Sequence, residues 1–238
     1  MKILKRVLLI LVALAILAGA VLYEIGLTDF RFKKTPDPDK IRVACVGDSI
    51  TYGCLVTMRG RNNYPAKLQK LLGDEYQVEN FGLSSRTLQN TGDEPYQKEE
   101  EFRRSLNFNP NILIIKLGTN DTKPQNWISA EAYEEEYRSF LTAYETLPNP
   151  PRIYLCTPAA AYQAKGTSDG LYKYGIRENE LEQARAVVRK LAAEKGYGLI
   201  DMAEETKDHE DWFVFDGIHP NAKGAQAMAE IVAAAIQG

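Results

Sequence analysis

Three short stretches of the chain carry side chains able to do nucleophilic chemistry. Ser49 sits in Gly47-Asp48-Ser49-Ile50-Thr51-Tyr52-Gly53, directly after an apolar run. A serine at a strand-to-helix turn is exposed where a nucleophile is useful, close to amides able to hold an anion. The same serine could serve only as a helix N-cap. A hydroxyl needs a base at neutral pH, and the chain has two histidines. His209 lies in Lys207-Asp208-His209-Glu210-Asp211, which reads as a solvated loop. His219 lies in Phe215-Asp216-Gly217-Ile218-His219-Pro220-Asn221. Asp216 can reach that imidazole across the turn that Gly217 permits, fixing its tautomer and stabilising the imidazolium. The purely structural alternative is an Asp-Gly turn followed by an Asn221 cap. Asn120, in Leu117-Gly118-Thr119-Asn120-Asp121, could cap a turn or donate its amide to an oxyanion. Asp48 and Asp121 read as turn and hydrogen-bond scaffolding rather than acid/base groups.

Positioning these residues takes an alternation of short apolar runs and longer amphipathic segments, which begins at Ile41. The runs Ile41–Val46, Gln77–Phe81, Ile112–Leu117, Ile153–Cys156 and Tyr197–Ile200 predict strands. Helices are predicted over Asn63–Leu72, Tyr96–Leu106, Ala130–Leu147, Arg177–Lys195 and Ala222–Ile236. Such alternation predicts an α/β fold, a doubly wound three-layer α/β/α sandwich around a five-stranded parallel sheet. In that architecture ligands bind beyond the carboxyl ends of the strands, where Ser49 and Asn120 fall. The stretch from Pro158 to Gly175 reads as the longest loop, either a lid or rim over a site or a plain surface connection.

Four motifs occur in order: Gly-Asp-Ser-Ile at 47–50, Asn-Phe-Gly-Leu-Ser-Ser-Arg-Thr at 80–87, Gly-Thr-Asn-Asp at 118–121 and Asp-Gly-Ile-His-Pro at 216–220. Together, from about Ile41 to the end, they resemble the SGNH hydrolases, also called GDSL-like lipases and esterases. The resemblance implies the flavodoxin-like fold of that family. It implies Ser49 as nucleophile, His219 as its base and Asp216 as the residue that orients His219. It implies an oxyanion hole from the backbone N–H of Ser49, the backbone N–H of Ser85 and the Asn120 side chain. No metal or organic cofactor is implied. Ser85 stands where the family pattern has glycine, so a positive φ there would strain the backbone without removing the N–H. Thr122-Lys123-Pro124-Gln125-Asn126-Trp127 and Gly92-Asp93-Glu94-Pro95-Tyr96 look similar to members allied with carbohydrate O-acetylesterases. That likeness implies acetyl removal from glycans, with Trp127 and the tyrosines of the 158–175 loop as surfaces on which sugar rings could stack. The alternatives are a lysophospholipase or acyl-thioesterase of the same fold, and a non-catalytic glycan-binding module.

The first 27 residues differ from the rest. Lys2, Lys5 and Arg6 precede an unbroken apolar run from Val7 to about Tyr23, a helix roughly 25 Å long. This predicts a signal anchor or signal peptide that attaches the protein to the membrane or exports it, with the N-terminus cytoplasmic and the body outside. Residues 28–40, with Pro36 and Pro38 among charges, read as a tether to a hydrolase domain at 41–238. Residues 24–238 carry 26 basic and 32 acidic side chains, a mildly acidic body without a Lys/Arg cluster, which argues against nucleic acid as a partner. Cys45, Cys54 and Cys156 are too few and too scattered for a disulfide framework. Cys45 and Cys156 fall in apolar runs, where a thiol behaves as a small hydrophobe.

Overall fold

A computed structural model describes residues 2–24 and 35–238, so the predicted N-terminal segment and tether lie partly outside the described residues. Within them, β1 (Ile41–Gly47), β2 (Tyr76–Gly82), β3 (Ile112–Lys116), β4 (Arg152–Cys156) and β5 (Gly198–Ile200) form one sheet. Its order is β2-β1-β3-β4-β5 and every pairing is parallel. All five strands lie where the sequence predicts them, within a residue or so at each end. Their apolar content has a physical reason: a sheet covered on both faces buries every side chain of its central strands. β3 shows this directly, being buried along its whole length.

The helices are α1 (Lys2–Glu24), α2 (Ser49–Tyr52), α3 (Arg59–Asn62), α4 (Tyr64–Leu72), α5 (Glu100–Asn107), α6 (Ala130–Glu145), α7 (Glu178–Lys195), α8 (Met202–Thr206) and α9 (Ala222–Gln237). Alternation along β1 sends Val43 and Cys45 into a layer with Leu68 of α4 and Met228 and Val232 of α9. Ala44 and Val46 face the opposite layer, with Tyr137 of α6 and Val188 of α7. Local chemistry fixes the helix starts. Asn63 accepts from the Ala66 N–H at 2.9 Å, and Asn221 accepts from Lys223 and Gly224. The helix predicted over Tyr96–Leu106 is broken instead. A 3-10 turn at Tyr96–Lys98 is followed by an extended Glu99, and α5 begins after it. Tyr96 is held there by its hydroxyl, which donates to the Phe81 carbonyl at 2.6 Å, so tertiary contact overrides helical spacing.

In α1, the stretch Leu4–Val21 has a mean hydropathy of 2.4 and no buried residue. By length and composition it can cross a membrane.

Sheet register prepares the site. Gly47 pairs with Gly82 on one side and with Lys116 on the other, so three strand ends finish level. Residues 48–49, 83–85 and 117–120 therefore emerge side by side. β1 is flanked by β2 and β3, which makes this the topological switch point of the fold. Close packing requires glycine at position 47, where a Cβ would lie 2.1 Å from Thr51 Oγ1 and 2.6 Å from the Lys116 carbonyl.

Candidate active site

Ser49 is the first residue of α2. The cap is its neighbour Asp48, whose Oδ1 accepts the Ile50 N–H at 2.9 Å. The capping alternative for Ser49 is thereby taken up by Asp48, and the serine hydroxyl is left for another partner. Asp48 is itself backed by Lys116, 3.9 Å away, and both side chains are buried.

Ser49 Oγ lies 2.8 Å from His219 Nε2. On the other side of the ring, His219 Nδ1 lies 2.7 Å from Asp216 Oδ2. The two residues are joined by a turn in which Asp216 Oδ1 accepts the backbone N–H groups of Ile218 and His219 at 2.9 and 3.0 Å. Gly217 makes the turn with φ 72°, and a Cβ there would lie 2.1 Å from the Tyr162 carbonyl. Burial acts to raise the Asp216 pKa. The imidazole and amide hydrogen bonds outweigh it and hold the carboxyl at about 2. Asp216 is therefore ionised, and its charge faces the ring nitrogen remote from the serine.

A cavity of about 170 Å³ opens beside the hydroxyl. Ser49, Ser85, Asn120 and His219 line it, together with Cys54, Lys123, Tyr174 and Ile176. Asn120 Nδ2 donates to the Arg86 carbonyl at 3.2 Å. One of its two amide hydrogens is thus engaged and the other is left for a ligand. Ser85 adopts φ 69°, the left-handed conformation that its place in the motif put in question. The turn bearing Asn120 is pinned to the second motif by Asp121, whose two oxygens accept the N–H groups of Leu88 and Gln89 at 3.0 and 2.9 Å. Burial of Asp121 outweighs these bonds and raises its pKa to about 6.

The structure thus gathers Ser49, His219, Ser85 and Asn120 at one cavity, with Asp216 buried behind the imidazole. Trp127 is elsewhere: its ring packs on Tyr133 with centroids 5.6 Å apart, against the core layer that contains Tyr137. His209 stacks on Trp212 at 3.7 Å and does not line the cavity. Cys54, Lys123 and Ile176 also line the cavity, and nothing in the sequence assigns them a site role. Cys54 follows the Ser49 motif, and its thiol pKa is raised by burial and by the charge of Asp216. Lys123 follows the Asn120 motif by two positions. Tyr174 is one of the 158–175 loop tyrosines suggested to face a sugar, and no local pattern singles it out from the others.

This fold, with a serine, an imidazole and a carboxylate at its switch point, defines a class, the carboxylic-ester hydrolases built on the SGNH α/β/α sandwich. The chain belongs to the GDSL-like Lipase/Acylhydrolase family, whose model matches residues 45–227. It is 38% identical over 220 residues to an acetylxylan esterase of Xylanibacter ruminicola, an alignment that covers 85% of this chain and 44% of the relative. The chain therefore spans less than half the length of that curated relative. Among solved structures it is similar to the aryl esterase of M. smegmatis, with TM-score 0.66 and 20% identity over 82% of this chain and 98% of that one. It is also similar to a carbohydrate acetylesterase family member of Sinorhizobium meliloti, with TM-score 0.62 and 20% identity over 82% and 97%. At such identities the two structures speak for the fold.

Proposed function

We propose that this protein is a serine esterase that removes short acyl groups, acetyl foremost, from carbohydrate outside the cytoplasm. The observation that carries the proposal is the unbroken chain of hydrogen bonds from Ser49 Oγ through His219 to Asp216, opening onto a cavity of about 170 Å³. Such a volume suits a small acyl group and is below the ~300–1,000 Å³ of pockets that enclose drug-sized ligands. The named activities of the acetylxylan esterase and of the carbohydrate acetylesterase family member agree with that size.

The mechanism follows from the geometry. Ser49 Oγ attacks the acyl carbon while His219 Nε2 takes its proton. Asp216 keeps the remaining imidazole proton on Nδ1 and stabilises the imidazolium that forms. Negative charge gathers on the carbonyl oxygen, facing the N–H groups of Ser49 and Ser85 and the free amide hydrogen of Asn120. Collapse of the intermediate expels the alcohol, which takes the proton from His219. A water activated by the same imidazole then releases the acid and regenerates Ser49. The alcohol half of the substrate lies outside so small a cavity, against its rim. The aromatic side chain there is Tyr174, 54% exposed, so of the aromatic residues suggested to face a sugar it fits the role better than Trp127. α1 serves as a signal anchor or signal peptide, its basic start remaining in the cytoplasm.

The test uses the full chain in mild detergent. Wild-type protein releases acetate from acetylated xylan and cleaves p-nitrophenyl acetate in preference to the octanoate and palmitate. Ser49→Ala abolishes both activities, and His209→Ala leaves them intact. A preference for palmitate would overturn the substrate, and full activity of Ser49→Ala would overturn the mechanism.

A further inference from the structure

The connection from β4 to α7 contributes Tyr174 and Ile176 to the cavity wall and is laced to the turn that carries Asp216. Tyr162, within it, donates its backbone N–H to the Gly217 carbonyl at 2.9 Å. Further along, Tyr172 and Ile176 are buried in a small cluster with Leu181 and with Ile218, the residue before His219. Between those two anchors the chain does something unusual. Tyr174 takes φ 63° and ψ 16°, a left-handed conformation that a bulky residue keeps only when its surroundings hold it there. Core packing does not repay it, because the side chain is 54% exposed and belongs to none of the core clusters.

What the kink achieves is a contact with Asp216. The Tyr174 hydroxyl donates to Asp216 Oδ2 at 3.0 Å. The ring meets the His219 imidazole edge to face, with centroids 5.7 Å apart and planes at 70°. This completes the carboxylate. Oδ1 accepts two backbone N–H groups, and Oδ2 accepts His219 Nδ1 and the tyrosine hydroxyl. Each oxygen offers two lone pairs, so no acceptor site is left for water. A carboxylate with one free lone pair can rotate or trade its imidazole for solvent. One held by four donors cannot.

We infer that Tyr174 is a positioning residue for the Ser49–His219–Asp216 chain, locking the carboxylate through its hydroxyl and the imidazole through its ring edge. The inference rests on the esterase reading of that chain. It gives the 158–175 loop a role that is neither plain connection nor swinging lid: the loop delivers one hydroxyl from 42 residues away in sequence.

The experiment compares wild-type protein, Tyr174→Phe and Tyr174→Ala as full chains in detergent. It follows kcat and KM on p-nitrophenyl acetate and the low-field proton resonance of the His219 Nδ1–H. Tyr174→Phe keeps the exposed ring and removes only the hydroxyl. It is expected to lower kcat about tenfold, to leave KM within about twofold and to move the low-field resonance. Tyr174→Ala is expected to lower kcat further and to raise KM, because the cavity wall is lost as well. A Tyr174→Phe protein with wild-type kcat and an unmoved resonance overturns the inference while leaving the esterase reading intact. Activity that survives Ser49→Ala removes the esterase reading, and the inference falls with it.

Discussion

Asp216 and Asp121 are alike in what first holds them. Each carboxylate is buried at the carboxyl end of the sheet, and each accepts hydrogen bonds from two consecutive backbone amides. Their acidities nevertheless part, to about 2 for Asp216 and about 6 for Asp121. Burial raises both. In Asp216 it is outweighed by the amides together with a hydrogen bond from His219, a partner that can itself carry positive charge. Asp121 has backbone amides and the Gln89 side chain, none of them ionisable, and they do not offset full desolvation. Two N–H groups can shape a carboxylate, but here only the one that also meets an imidazole has its pKa depressed. The two residues accordingly differ in use. Asp216 offers a permanent charge to an imidazole, and Asp121 ties the Asn120 turn to residues 88 and 89.

Removing the charge from each in turn is the most severe way to break this comparison. Asp216→Asn keeps the size of the side chain but deprives His219 Nδ1–H of its anionic acceptor. We expect kcat on p-nitrophenyl acetate to fall by about 10⁴, with near-UV circular dichroism unchanged. Asp121→Asn leaves the Ser49–His219–Asp216 chain untouched and only loosens the turn that presents Asn120. Its kcat should fall by about tenfold, less than the ~10²–10³ expected for loss of an oxyanion donor outright. Equal losses from the two substitutions would mean that the distinction between charge and tether is wrong.

The pH dependence of stability sharpens the same contrast, because the two carboxyls act with opposite sign. The folded-state pKa of Asp121 is raised, so its contribution is fully present below the unfolded value near 4 and is lost as pH rises through about 6. The change amounts to roughly 3 kcal/mol. The folded-state pKa of Asp216 is depressed, so its contribution is present above about 4 and is lost as pH falls towards 2, an amount of roughly 2 kcal/mol. Thermal melts of wild type and both variants from pH 3 to 8 check this. The wild-type minus Asp121→Asn difference should fall between pH 4 and 6, and the Asp216→Asn difference should rise from pH 3 to 4.5. Slopes of the same sign would refute the assignment.

The sequence announces Asp216 better than it announces Asp121. Asp216 and His219 are three residues apart, and the turn between them is written in Gly217. The bonds of Asp121 reach 32 and 33 positions back along the chain to amides, and an amide carries no side-chain signature. Strands and long helices are legible for the same reason as Asp216. Burial on both faces of a sheet, or on one face of a helix, prints a local period. The break at Glu99 and the approach of Tyr174 are tertiary events, one set by the Tyr96–Phe81 bond and the other by Asp216, and no period records them. Trp127 misleads in the opposite direction. An indole beside a motif suggests a ligand platform, and nothing local in the sequence shows that its ring packs on Tyr133 and does not line the cavity.

The smallest effect concerns the two left-handed backbones that present amides at the site, Gly217 at φ 72° and Ser85 at φ 69°. At 217 a side chain is excluded by the Tyr162 carbonyl, so glycine is needed for space as well as conformation. Ser85 already carries a side chain in almost the same conformation, so only the intrinsic penalty applies, about 1–2 kcal/mol for a non-glycine residue. Ser85→Gly removes that penalty but frees the unfolded chain, which offsets about 0.4–1 kcal/mol. The net expectation is a gain of up to about 1 kcal/mol, seen as a melting temperature higher by about 1–3 °C. The backbone N–H survives the change, so kcat should stay within about twofold of wild type. If kcat falls tenfold while stability rises, the Ser85 hydroxyl contributes to the reaction as well as its amide, and the site depends on that side chain where the family pattern has none.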